Sequence, residues 1–137
     1  MDRINLPARL ENLGRFIEFV TAFAEGHGFS KGQTDRITLC LEEAVVNICN
    51  YAYPDDPDGK IEISLIMDGK NDLMIRITDS GVPFDIFTHE DPDISLGVSE
   101  RKAGGLGIFF IKKLMDEIKY ERKDNQNILT MILRRQS

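Results

Sequence analysis

Between Leu10 and Gly26 the apolar residues Leu13, Phe16, Ile17, Val20, Phe23 and Ala24 recur every three or four positions. That spacing puts one stripe along a helix and predicts an amphipathic helix laid on a core. Ahead of it, residues 2–8 predict a short strand. The segment GHGFSKG ends the helix, and Ser30 is placed to cap a second one, whose stripe is Ile37, Leu41, Ala44, Val45, Ile48 and Ala52. Pro54 and the DDPDG cluster close it. In KIEISLIM the pattern switches to alternation, with Ile61, Ile63, Leu65 and Met67 on one face of a strand. After the turn DGKND comes a second strand, LMIRITD, which makes a hairpin.

From about Val82 to Gly105 no periodicity is sustained, and Pro, Asp, Ser and Gly are frequent. A segment this long and irregular is the profile of a functional lid or of disorder. Helical spacing returns with Ile108, Ile111, Leu114 and Met115, and two last strands, EIKYER and NILTMIL, flank the turn KDNQN. There is no internal repeat. Successive hairpins with segregated helices predict an α+β fold: a two-layer α/β sandwich whose mixed, mainly antiparallel sheet carries helices on one face.

Composition narrows the function classes. The 137 residues suit one compact domain that can bury a core without disulfides or structural metals. A formal charge of -6 argues against a nucleic-acid binder, which needs clustered Lys and Arg to neutralise phosphate. No apolar run approaches the length of a membrane span, and the start MDRINLPARLENLG has neither the basic end nor the apolar run of a secretory signal, so a cytoplasmic protein is expected. Cys40 and Cys49 share the second predicted helix on opposite faces, about 13 Å apart along its axis, and cannot pair. With His27 and His89 as the two histidines, a zinc or iron–sulfur site lacks ligands.

Three polar motifs carry the candidate chemistry: EEAVVN at 42–47, DSGVPFD at 79–85 and GGLGIFF at 104–110. At 100° per residue, Asn47 lies at the edge of the second helix's apolar stripe, in line with Glu43 one turn earlier, while Glu42 is rotated away. This sets a carboxylate and a carboxamide side by side at the margin of the core. Taken alone, such a pair is more often ordinary helix surface. Asp79 falls on the same strand face as Leu73, Ile75 and Ile77, so a carboxylate ends an apolar row. Buried, it needs hydrogen-bond donors, and the exocyclic amine of adenine is one a ligand supplies. Gly81 permits a tight turn and the close approach of a flat ring, though DSG alone is also a plain turn after a strand. The glycines of AGGLGIFF precede a helix, where unpaired amides and the dipole attract phosphate. A hinge reads equally well. Arg101 and Lys102, just before them, could neutralise terminal phosphates.

ExxxN on a helix, DxGxPFD after a strand and GGLG opening a helix, in that order, resemble the GHKL (Bergerat-fold) ATPase superfamily. Within it the phrases EAVVNICNYAY, DSGVPFD and GGLGIFFIKKLMDEI are similar to those of the bacterial anti-sigma-factor serine/threonine kinases. The resemblance runs from the first helix to the last strand and implies a single histidine-kinase-like ATPase domain over 1–137. It implies ATP and Mg2+ as ligands, with Asn47 coordinating the metal and Glu43 as the general base toward a serine or threonine hydroxyl. Asp79 would bind the adenine amine with Gly81 beside the ring. Gly104, Gly105, Leu106 and Gly107, with Arg101, would meet the phosphates, and Thr130 on the last strand would support Asp79 through water.

The partners implied are a sigma factor and a small STAS-type anti-anti-sigma protein that the kinase phosphorylates, with a homodimer formed through one face of the sheet or the first helix. No nucleic acid or membrane partner is implied. The competing expectation is a non-catalytic module in which ATP gates a partner surface without phosphate transfer.

Overall fold

A computed structural model describes residues 2–83 and 111–135. Five strands, β1 (Asp2–Pro7), β2 (Lys60–Met67), β3 (Asp72–Asp79), β4 (Glu117–Lys123) and β5 (Gln126–Arg134), form one sheet in the order β1-β2-β3-β5-β4. Every pairing among them is antiparallel, one end of the range that a mixed, mainly antiparallel sheet allows. Helices α1 (Leu13–Gly26) and α2 (Lys31–Tyr51) lie on one face, so the α+β two-layer arrangement is as the pattern predicts.

The elements form where local chemistry permits. Ser30 accepts from the Gln33 amide at 3.2 Å while the Gln33 side chain accepts from the Ser30 amide at 3.2 Å, a reciprocal cap that satisfies donors in the first turn of α2. The same Gln33 donates through Nε2 to the Arg134 carbonyl at 2.8 Å, which ties the start of α2 to the end of β5. The first turn predicted for α1 is instead a 3-10 turn, Leu10–Asn12, and Asn12 donates back to the Pro7 carbonyl at 2.9 Å. Between β4 and β5 the chain reverses through Asp124 and Asn125, at φ 53° and 62°. Two successive left-handed residues make the tight reversal whose twist suits a hairpin, and Asn and Asp adopt it readily.

Burial alternates strictly along β3, with Leu73, Ile75, Ile77 and Asp79 buried toward the helices. Those apolar residues meet Phe16, Val20 and Ala24 of α1 and Ile37, Leu41, Ala44 and Val45 of α2 in one core. Each fully buried Ile, Leu or Phe contributes about 1.5–3 kcal/mol, so the layer contact outweighs any helix propensity. Ile111 and Met115 join the same core, and residues 111–114 are helical. Arg36 of α2 donates to the Leu114 carbonyl, supplying a cation and a donor where that turn ends. Ile108 lies outside the described residues.

Both cysteines are free. Burial pushes the Cys40 thiol up to about 12, so it behaves as a small apolar side chain rather than a nucleophile. No helix among the described residues is long and apolar enough to cross a membrane.

Candidate functional site

The sheet's helix-facing side ends, at the last residue of β3, in a carboxylate instead of another isoleucine. Asp79 sits opposite Ile61 of β2 and Asn127 of β5. Beside it the last two turns of α2 and the strands form a pocket lined by Ala44, Asn47, Ile48, Tyr51, Ala52, Ile77, Asp79, Ile111, Tyr120, Asn127 and Leu129, with a cavity of about 50 Å3. The walls are apolar and the polar groups few, which is the composition of a small-molecule site.

Asp79 is held firmly. Its Oδ1 accepts from the Gly81 amide at 2.9 Å and from Asn127 Nδ2 at 2.9 Å. Among the described residues Oδ2 accepts from none, so one carboxylate oxygen is left to the pocket. Burial pushes the Asp79 carboxyl above the ordinary carboxylate range, while the Asn127 and Gly81 donors and the Arg122 charge pull the other way. A group so balanced is an acceptor with one demand that no described residue meets, and an amine hydrogen can meet it.

The turn after β3 is fastened at successive backbone groups. Tyr53 Oη accepts from the Ser80 amide at 2.7 Å and donates to the Lys60 carbonyl at 2.6 Å. Arg122 donates to the Gly81 carbonyl at 2.7 Å, the Val82 amide donates to the Ala52 carbonyl at 2.8 Å, and Asn127 Nδ2 donates to the Val82 carbonyl at 2.8 Å. The end of α2 and the start of the segment after β3 are thereby joined.

Asn47 lines the pocket, as the helical phase predicts. Glu43 lies one turn earlier on the same side of α2, half-buried, and does not line the pocket itself. Gly81 is buried, but the close approach it permits is to protein. A Cβ there would meet the Ala52 carbonyl oxygen at 2.3 Å and the Ala52 Cβ at 2.5 Å. Its missing side chain makes room for the end of α2.

Thr130 does not stand where the expectation put it. It pairs with Arg76, while Asp79 pairs with Asn127. Side chains alternate, so Thr130 lies on the face away from the helices and cannot support Asp79. Arg101, Gly104, Gly105, Leu106 and Gly107 lie outside the described residues.

Residues that the motifs do not reveal complete the site. Asn127, Tyr120, Arg122 and Tyr53 reach it through strand register and chain reversal. Asn127 heads the inward row Leu129, Met131, Leu133, the same signal that singles out Asp79.

For a metal, the donor set is sparse. Among the described residues no group of three or more His, Cys, Asp or Glu could hold one. The Asn47 amide oxygen is a hard donor of the kind Mg2+ takes, and Mg2+ usually completes its shell with water and substrate phosphate. One carboxamide at the pocket wall therefore fits a metal that arrives with a phosphate ligand.

Comparison with known proteins adds an independent line. A family model described as a histidine kinase-like ATPase domain matches residues 6–133. The protein named Serine-protein kinase RsbW from Listeria monocytogenes serovar 1/2a is 32% identical over 123 residues, covering 85% of this chain and 76% of the relative. Its namesake from Oceanobacillus iheyensis is 29% identical over 125 residues, covering 85% and 75%. Among solved structures, the RsbU and RsbW domains of Rv1364c from Mycobacterium tuberculosis superpose with a TM-score of 0.65 at 13% identity, covering 98% of this chain and 33% of that one. The histidine kinase domain of the blue-light activated kinase EL346 from Erythrobacter litoralis gives 0.55 at 19% identity, covering 93% and 61%. At those identities the two structures speak for the fold.

Proposed function

The chain belongs to the histidine kinase-like ATPase domain family, and on that premise we propose that it is an ATP-dependent serine/threonine protein kinase that acts as an anti-sigma factor on a small STAS-type partner. One observation carries the reading: a buried carboxylate, one oxygen of which has no partner among the described residues, closes an apolar pocket that has Asn47 on its helical wall. The relatives named serine-protein kinase, at about a third identity over most of both chains, support the activity. The sigma factor, the STAS partner, a homodimer, a cytoplasmic location and a single ATPase domain over 1–137 are parts of the same proposal and rest on the motif resemblance.

In this reading the adenine ring lies among Ile48, Ala52, Ile77 and Leu129, and its 6-amino group donates to Asp79 Oδ2. Asn47 gives its amide oxygen to Mg2+, which when bound neutralises charge on the phosphates. Gly104, Gly105, Leu106 and Gly107, with Arg101, hold the phosphates. Glu43 takes the proton from the incoming serine or threonine hydroxyl. The freed oxygen bonds to the γ-phosphorus as the bond to the β–γ bridging oxygen breaks, and ADP leaves with that electron pair. Most of the catalysis is then positioning and charge neutralisation.

The test is transfer of labelled γ-phosphate to a small partner that co-purifies with the chain. Wild type labels the partner; Glu43→Ala binds ATP normally and loses about 100-fold or more in transfer, the range expected for removing a general base. Wild-type chain that binds ATP and labels no partner would turn the account to the non-catalytic module, in which ATP gates a binding surface.

A further inference from the structure

Asn127 stands opposite the carboxylate that closes the pocket, and its geometry defines more than packing. Asn127 and Asp79 are 6% and 5% exposed, so their hydrogen bonds form out of water, where each counts most. The two Nδ2 hydrogens of Asn127 go to different acceptors, Asp79 Oδ1 at 2.9 Å and the Val82 carbonyl at 2.8 Å. Its Oδ1 accepts from the Tyr120 hydroxyl. The two acceptors fix the sense of the amide, and the tyrosine hydroxyl, which can donate or accept, holds the group in place. Turned over, it would set an oxygen against two acceptors.

A fixed NH2 has a chemical consequence for Asp79. It can donate and cannot accept, so it favours the ionised carboxylate against the burial that opposes ionisation. It also occupies Oδ1 and leaves Oδ2 toward the pocket as an acceptor only. A purine with a 6-amino group donates to that oxygen; a purine with a 6-oxo group places oxygen against oxygen.

We propose that Asn127, oriented by Tyr120, is the positioning residue that sets the base selectivity of this pocket, keeping Asp79 an acceptor for 6-amino purine nucleotides and excluding 6-oxo ones. The inference rests on the nucleotide reading of the pocket. It concerns which nucleotide enters, and it holds whichever protein partner receives phosphate.

The informative substitution is Asn127→Asp, which keeps shape and places a second carboxyl beside the first. Two carboxyls at that separation do not both ionise readily, and they share a proton over a range extending well above the ordinary carboxylate one. A proton on Asp79 turns Oδ2 into a donor. The other titratable groups turned toward Asp79 are Tyr53 after α2 and Arg122 and Tyr120 on β4, with Tyr51 of α2 also lining the pocket.

The experiment is calorimetric titration of the full chain with Mg-ATP and with Mg-ITP, its 6-oxo counterpart, from mildly acidic to neutral pH. Wild type binds ATP and discriminates against ITP at neutral pH. Asn127→Asp loses about tenfold or more in ATP affinity, as for a lost hydrogen bond to a charged group, and its preference for ATP over ITP narrows further as pH falls. Tyr120→Phe keeps a ring in place on a half-buried residue, removes the hydroxyl alone, and narrows the same ratio about threefold, as for one neutral hydrogen bond. An unchanged ATP-to-ITP ratio in both variants, with ATP still bound, overturns the proposal. Wild type that binds neither nucleotide overturns the nucleotide reading beneath it.

Discussion

Strand β3 has an aspartate turn at each end, and the two solve the same local problem with opposite electrostatic results. Asp68, in the turn before the strand, accepts through Oδ1 from the Lys70 amide at 2.7 Å and the Asp72 amide at 3.0 Å. Asp79, closing the strand, accepts through Oδ1 from the Gly81 amide at 2.9 Å. Both side chains thus fold the backbone two residues on, as aspartates in turns do. At Asp68 the amides of Asp72 and Lys70 draw the carboxyl below its ordinary range, because it is solvated and burial opposes them little. At Asp79 burial wins and the carboxyl is pushed up, despite Asn127, Gly81 and Arg122. The difference is what covers each end. The end of α2, β4 and β5 close over Asp79, whereas Asp68 faces water. Turn chemistry alone therefore does not mark a site. A carboxylate kept in place against its own burial does.

The largest expected contrast between the two ends lies in their glycines. Gly81→Ala drives a Cβ to 2.3 Å from the Ala52 carbonyl oxygen, a backbone atom, while a Cβ on Gly69 meets nothing within 4 Å. Urea unfolding should show a loss of about 1–3 kcal/mol for Gly81→Ala, the range for forcing extra bulk into packed structure. Gly69→Ala should be neutral or slightly stabilising, because alanine restricts the unfolded chain. Equal stability of the two variants would break the contrast.

A smaller effect separates the aspartates by pH. The folded carboxyl of Asp79 lies above the reference 3.8, so the folded state holds that proton more tightly than the unfolded chain does. Stability is therefore lost as pH rises from 3.8 through the folded value. For Asp68 the folded value lies below 3.8. Its contribution is complete above 3.8 and disappears as pH falls through the folded value. Measured by urea unfolding across that range, wild type should gain on Asp79→Asn as pH falls from neutral, and should lose its advantage over Asp68→Asn on further acidification. Parallel pH curves for the two variants would contradict the assigned environments.

Much of this was legible from local periodicity. The inward phase of Asp79 follows from its place in the row Leu73, Ile75, Ile77, and helical phase separates Asn47 and Glu43 from Glu42. The reciprocal cap at Ser30 is written in adjacent residues. Asn127 is different, because its meeting with Asp79 depends on β5 pairing with β3 across 48 positions of sequence. No local propensity sets that register. Alternation alone could still have told Asn127 from Thr130: Leu129, Met131 and Leu133 share a face with Asn127 and leave Thr130 outside. Gly81 was readable as a point of close approach, but only packing says that the approaching group is Ala52.

The most direct test sets the two ends of β3 side by side. Calorimetric titration with Mg-ATP should give the same affinity for wild type and Asp68→Asn, and an affinity weaker by about 10–100-fold for Asp79→Asn, the range of a hydrogen bond to a charged group, with all three chains equally folded by circular dichroism. Undiminished ATP affinity in a folded Asp79→Asn chain would remove Asp79 from the pocket's chemistry and with it the account of the site.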